Sequence, residues 1–164
     1  MAPHDRAQHP LFPVASPGAD VNMEGLLGCG PVRDETITGY GQSALDDSAR
    51  RAAAEQKRYV IPYQHPETGS FYRSDHFSFA KQGVPAISFK PGNDLLQGGT
   101  ARGEALAADY TAKRYHQPDD EFSPQWDFRG MAQDPNLLHI PAHRPPNSHP
   151  WPTWSPGTEF PPPP

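Results

Sequence analysis

Three short stretches carry the residues of this chain whose types and spacing could support metal binding or catalysis. Glu24 follows the apolar part of ADVNMEG, Asp75 and His76 are adjacent in YRSDHFSF, and His116 precedes a proline and three acidic residues in KRYHQPDDEF. A neutral imidazole is a common zinc ligand, and its second ring nitrogen usually needs a hydrogen-bond acceptor. These stretches are therefore candidates for a metal site.

Each candidate also has a simpler structural interpretation. Glu24 could be a solvated carboxylate in the loop after a strand, and Asp75 could cap a helix. His76 has no HxxxH-type partner, which favours a structural or surface histidine. His116 could belong to a polar turn. Taken singly, the motifs leave the function open.

Composition bounds the class of protein. The 164 residues predict one domain, while 35% hydrophobic residues, 22 prolines and a mean hydropathy of -0.77 indicate that part of the chain is not packed. A net charge of -5 without a basic stripe argues against nucleic-acid binding. No apolar run approaches the roughly 20 residues that cross a bilayer, and the N-terminus lacks the apolar region of a signal peptide, so localisation stays open.

Other catalytic signatures are not legible in the chain. The glycine-rich stretches GCGPVRD and GGTARG lack the patterns of phosphate-binding loops and are interpreted as turns. No Ser-His-Asp or GxSxG arrangement is seen, and the single Cys29 is interpreted as a small residue in a turn.

Hydrophobic periodicity predicts alternating strands and helices, and hence an α/β fold with a partly parallel sheet. Pro62 marks an edge strand or a strand end. Strands are predicted at 19–25, 35–41, 59–63 and 84–90, and helices at 43–58, 74–83, 103–115 and 125–139, with a glycine-rich loop over 91–103. The predicted organisation is an irregular segment at 1–18, an α/β domain at 19–139 and an extended proline-rich tail at 140–164.

Taken in order, the motifs resemble a known family. HPLFP, ADVNMEG, GPVRDETITGYGQSALDD, FYRSDHFSFAKQGVPAISF, DYTAKRYHQPDDEF and WDFRGMAQD resemble the C-terminal half of the catalytic domain of M28-family zinc metallopeptidases. WPTWSPGTEF resembles that family's C-terminal end. The resemblance implies part of a three-layer α/β/α domain with a mixed central sheet. It also implies an aminopeptidase acting on peptides, in which zinc activates a water and a glutamate is the general base.

The resemblance also assigns roles to individual residues. His116 matches the family's last zinc-ligand histidine, and Glu24 stands where the family has an aspartate ligand. Asp75 matches an acid that contacts the ligands or the substrate. Tyr115 and Asp120 match the residues that frame the histidine ligand.

Two departures from the family pattern lead to a further expectation. Glu24 carries one more methylene than aspartate, which moves the carboxylate by about one ångström, whereas metal sites tolerate about 0.2 Å. The family's upstream ligands and its general-base glutamate are not found in this sequence. We therefore expect weak zinc binding and an inactive chain when it is alone. The alternative is a non-catalytic α/β module that binds peptides or proteins through a sheet edge or the proline-rich tail.

Overall fold

The computed structural model describes residues 3–9, 18–25, 28–142 and 151–160. The strands are β1 (Asp20–Met23), β2 (Asp34–Thr38), β3 (Tyr59–Pro62) and β4 (Ala86–Pro91). The α-helices are α1 (Pro3–Gln8), α2 (Leu45–Glu55), α3 (Ser70–Arg73), α4 (Phe77–Ala80), α5 (Gly99–Lys113) and α6 (Arg129–Ala142). A single 3₁₀ turn covers Pro66–Thr68.

The four strands form one open mixed sheet in the order β1-β4-β2-β3. β1 runs parallel to β4 and β2 runs parallel to β3, while β4 and β2 are antiparallel. The predicted α/β class and partly parallel sheet are confirmed. β3 is an edge strand whose last residue is Pro62, so the missing proline N–H interrupts no central ladder.

Helices cover both faces of the sheet. Side chains alternate along each strand, so each face carries apolar residues that pack against helices. On one face, Ile37 of β2 and Ile87 and Phe89 of β4 pack in a buried cluster with α2 and α6, which contribute Leu45, Ala49, Ala52, Ala53 and Leu137. On the other face, Ala86 packs with Phe71 of α3, Ala80 of α4 and Phe160. This gives the layered α/β/α arrangement that the resemblance implies.

A buried charged cluster fastens α6 to the sheet. The Arg58 guanidinium donates to Glu35 of β2, forms an ion pair with Asp134 of α6 at 3.0 Å, and donates to the Asp34 carbonyl at 2.9 Å. Burial raises the pKa of Glu35 to about 9, and the charge of Asp134 adds to this shift. Glu35 therefore keeps its proton at neutral pH, and one guanidinium balances the single carboxylate of Asp134.

The predicted helix over 74–83 is wrong in its continuity. The structure has two single-turn helices, α3 and α4, and Ser74 between them is extended with ψ of 160°. Neither helix has a side-chain hydrogen bond at its N-cap, so Asp75 does not act as the cap. The interruption at Ser74 lets its hydroxyl donate to Glu24 at the end of β1.

Helix α5 begins earlier than predicted. It starts at Gly99, inside the stretch expected to be a loop, directly after Gly98 with φ of 107°. Gly103 presses against the loop before the helix, because a Cβ there would lie 2.1 Å from the Asn93 carbonyl oxygen. This close approach requires glycine at position 103 and sets the position of α5.

The two ends of the chain contain more structure than the sequence predicts. Pro3–Gln8 form α1, with proline at a favourable first position and Asp5 in the first turn. α6 continues through Pro135 and Pro141 to Ala142. The buried contacts of Leu137 and Asp134 outweigh the backbone hydrogen bonds that the prolines cannot donate.

Part of the predicted proline-rich tail packs against the domain. The Thr153 carbonyl accepts from the Ala44 amide at 2.9 Å, and Trp154 Nε1 donates to the Gly83 carbonyl at 2.9 Å. Phe160 stacks on Trp154 and is buried. The rest of the tail, at 143–150 and 161–164, lies outside the described residues. Within the part of the chain that the structure describes, no helix is long and apolar enough to cross a membrane.

Candidate functional site

Strands β1 and β4 present a polar surface toward α3 and α4. Val21 of β1 packs into the core on the α2 side, so alternation turns Asn22 and Glu24 to the opposite side. The parallel register pairs Asn22 with Ser88, and Asn22 Nδ2 lies 3.5 Å from Ser88 Oγ. Two residues on, Lys90 of β4 continues the same row. The surface therefore combines an amide, a hydroxyl, a carboxylate and an ammonium group.

Glu24 is held at both carboxylate oxygens. Its amide donates to the Phe89 carbonyl at 3.3 Å, which continues the pairing of β1 one residue beyond the strand. Oε1 accepts from Asn22 Nδ2 at 2.6 Å, and Oε2 accepts from Ser74 Oγ at 3.0 Å. The carboxylate is half-buried and oriented by two elements, so it is not the freely solvated side chain of the simpler interpretation.

Asp75 and His76 are neighbours in sequence with opposite environments. Asp75 is exposed, whereas the His76 side chain is 0% exposed and meets the Phe71 ring edge-on at 4.5 Å between centroids. Among the described residues neither ring nitrogen of His76 has a hydrogen-bond partner. Burial lowers the pKa of His76 to about 4, although the charges of Glu24 and Asp75 oppose the shift. The imidazole is therefore neutral at ordinary pH, and it is neither a surface nor a satisfied histidine.

His116 lies in an exposed turn after α5. Its φ of 58° is in the left-handed region, which is uncommon for a residue with a side chain. The ring stacks on Tyr115 at 4.0 Å, and Tyr110 Oη donates to Asp120 Oδ2 at 2.9 Å, which closes the turn. The structure thus places Tyr115 against the imidazole, and Asp120 contacts the helix rather than His116.

The described residues do not form a zinc site by themselves. A catalytic zinc has three protein ligands at about 2.0–2.3 Å. Among the described side chains, no group of three or more histidine, cysteine, aspartate or glutamate residues is close enough to hold a metal ion. Glu24 is engaged by Asn22 and Ser74, and His116 stands in its own turn. The structure therefore brings Glu24 beside the Ser74–Asp75–His76 segment, but it assembles no complete ligand set.

A different set of residues lines a cleft of about 460 Å³. One wall is the face of α5 that carries Arg102, Leu106, Asp109 and Tyr110, followed by the C-cap residue Arg114. The opposite walls are the loops over 28–31 and 123–129, and Leu95 to Gln97 complete the lining. Cys29 lies in this cleft, and burial raises the pKa of its thiol. The turn predicted for Cys29 is therefore also part of a concave surface.

Several residues of these surfaces were not singled out from the sequence. Asn22 and Ser88 sit two residues before Glu24 and Lys90, a spacing that places each pair on one face of a strand. The α5 face was visible as a stripe with spacings of three and four residues. The pairing of β1 with β4 and the position of Ser74 depend on tertiary structure and had no local signal.

Comparison with known proteins gives one family. A family model described as Peptidase family M28 matches residues 4–135. The matched region contains all four strands and every candidate residue named from the sequence, from Glu24 to Asp120. No curated protein and no solved structure matches the chain.

Proposed function

Because the chain belongs to peptidase family M28, we propose that it serves in the zinc-dependent removal of residues from the N-terminus of peptides. Membership of this family supports a peptidase and peptide substrates. The observation that carries the proposal is the family match across residues 4–135. The fixed orientation of the Glu24 carboxylate at the end of β1 supports it, since sites in α/β proteins assemble at the carboxyl ends of strands.

In this proposal, His116 and Glu24 are the metal ligands that the chain contributes. The left-handed backbone of His116 supports a functional constraint, since such conformations cost free energy and concentrate at functional sites. Tyr115 orients the imidazole by stacking, and Asp120 fixes the turn through Tyr110. Asp75 is exposed beside Ser74, where it can contact a ligand or the substrate.

We further propose that this chain alone turns over peptides slowly or not at all. Glu24 and His116 supply two ligands, whereas catalytic zinc needs three, and no glutamate is assigned as the general base. The test is release of nitroaniline from aminoacyl-nitroanilides with added zinc, comparing the wild type with His116→Ala. We expect no difference between the two proteins. Robust, chelator-sensitive turnover that His116→Ala abolishes would contradict the inactivity and support the peptidase assignment.

Zinc calorimetry tests the ligand assignment separately. We expect weak binding that His116→Ala and Glu24→Gln reduce further. His65→Ala is the matched control, because His65 is also an exposed histidine but pairs with Glu67 away from the proposed ligands. Tight binding that is unchanged in His116→Ala would show that His116 is not a ligand.

A second candidate function is peptide binding without hydrolysis. The observation that favours it is the cleft beside α5, whose lining combines apolar and cationic side chains. Binding of a peptide that is not cleaved would support this candidate function, and the cleft is the surface where such a peptide would bind.

A further inference from the structure

Helix α5 has little packing for its length. Of its 15 residues only Gly103 is buried, and the rest of the helix lies at the surface or along the cleft. Leu106 is 37% exposed, and Leu96 across the cleft is 49% exposed. Trp126 lies on the opposite wall. The middle of the cleft is therefore an apolar surface that the described residues leave uncovered.

The charges along the cleft are unevenly paired. Asp109 forms an ion pair with Lys113 on α5, and Asp127 receives bonds from Arg129 Nε and Nη2 at 2.9 and 2.6 Å. Arg102 and Arg114 also line the cleft, and neither has a carboxylate partner among the described residues. The lining therefore holds two guanidiniums that its own carboxylates do not pair, in a chain whose net charge is -5.

The positions of these two arginines define a spacing. Arg102 lies within α5 and Arg114 is its C-cap, 12 residues later, which gives a Cα–Cα separation of about 18 Å at 1.5 Å per residue. An extended peptide covers it with about five or six residues at 3.3 Å each. Leu106 lies between the two arginines, next to the apolar middle of the cleft.

We propose that this cleft binds an extended peptide segment with a carboxylate at each end and an apolar side chain between them. One carboxylate pairs with Arg102 and the other with Arg114, while the central side chain packs against Leu106 and Trp126. Guanidinium and carboxylate form charge-assisted hydrogen bonds, which are the strong ones in proteins. The cleft volume of about 460 Å³ is in the range of natural ligand clefts, about 300–1,000 Å³. The inference rests on the proposed function only in taking a peptide as the carrier of these groups.

The test uses acetylated six-residue peptides with leucine and phenylalanine in the middle. The first has glutamate at both ends and a C-terminal amide, and its relatives have glutamine at the first, the last or both ends. A further peptide ends in glutamine with a free C-terminal carboxylate, so it separates an acidic side chain from an α-carboxylate. Calorimetry gives the affinities in the absence of zinc, so the result does not depend on turnover.

We expect the diacid to bind about a hundredfold more tightly than the peptide with two glutamines, since the two charge-assisted contacts contribute on the order of a factor of ten each. In Arg102→Gln and in Arg114→Gln, replacing glutamate by glutamine at one end of the peptide should no longer lower the affinity. Arg51→Gln is the control, because Arg51 is an exposed arginine on α2 that donates to Ser48 and does not line the cleft. If the peptide with a free C-terminal carboxylate binds as tightly as the diacid, the natural ligand is a C-terminal segment. If it binds more weakly than the diacid, the natural ligand is an internal acidic segment. Either result supports the proposal.

A second readout uses Cys29, the single cysteine of the chain, which lies in the cleft. Bound diacid should slow its alkylation by a maleimide, and the peptide with two glutamines should not. Equal affinities for the two peptides would overturn the proposal. So would a loss of affinity in Arg51→Gln as large as in the two cleft variants. A diacid that neither binds nor protects Cys29 would overturn it as well. Protection of Cys29 that grows with protein concentration without peptide would overturn it as well, because a second copy would then cover the cleft.

Discussion

Replacing Arg58 by methionine should destabilise the protein more than any exposed arginine substitution. The Arg58 side chain is 1% exposed and pairs with Glu35 and Asp134, whose side chains are 1% and 2% exposed. Methionine keeps the unbranched stem and much of the volume, but it leaves the Asp134 carboxylate buried without a cation. Breaking a buried ion pair in this way costs about 3–5 kcal/mol. A small domain has a total stability of about 5–15 kcal/mol, so the loss is a large fraction of it.

The measurement is urea unfolding at pH 7, followed by circular dichroism. Arg51→Met is the matched control, since Arg51 lies on the exposed side of α2 and its loss should change the free energy of unfolding by less than about 0.5 kcal/mol. If Arg58→Met lowered the free energy of unfolding by less than about 1 kcal/mol, the cluster would not be what holds α6 on the sheet.

The same cluster predicts a pH dependence through Glu35. Its pKa is raised from 4.5 to about 9, so between these values the folded protein holds a proton that the unfolded chain releases. The unfolded state then binds fewer protons, and the free energy of unfolding falls as pH rises from about 4.5 to about 9. Glu35→Gln keeps a neutral side chain at every pH and should remove this decline. If the free energies of unfolding of the wild type and Glu35→Gln differed by the same amount at every pH in that range, Glu35 would not hold a buried proton.

Two further predictions concern the other face of the sheet. Phe160→Ala should lower the free energy of unfolding by about 3 kcal/mol, because Phe160 is buried against Phe71 and Trp154. Chemical denaturation measures this change. A loss below about 1 kcal/mol would mean that the segment 151–160 does not dock on the domain. His76→Leu should remove a loss of stability in acid, because the wild-type imidazole stays neutral down to about pH 4 while the unfolded chain gains a proton near pH 6.5. Parallel pH profiles of the two proteins in that window would show that His76 is not buried in its neutral form.

Local rules in the sequence predicted most of the elements and the position of Glu24. Alternating residues and β-branched side chains marked the strands, and Pro62 indicated the edge strand, because these signals depend only on neighbouring residues. The order β1-β4-β2-β3 was not predictable in this way. It depends on which strands pair across more than 60 residues of sequence, as with Asn22 and Ser88.

The environment of His76 was also beyond the sequence. A histidine followed by phenylalanine and serine is compatible with a surface turn or a core, and the choice depends on Phe71 and on the break at Ser74. A single continuous helix, as predicted, would have had Ser74 or Asp75 as its cap. The extended backbone at Ser74 instead lets the hydroxyl reach Glu24 while His76 enters the interior.

The structure also bears on the substitution of glutamate for aspartate at position 24. The side chain reaches two donors on different elements, Asn22 within β1 at 2.6 Å and Ser74 before α4 at 3.0 Å. The extra methylene is therefore used to link the strand end to the segment that carries Asp75 and His76. A carboxylate has about four lone-pair sites, and these two bonds occupy one on each oxygen. The proposed role of Glu24 as a metal ligand would therefore have to use the lone pairs that the Asn22 and Ser74 bonds leave free.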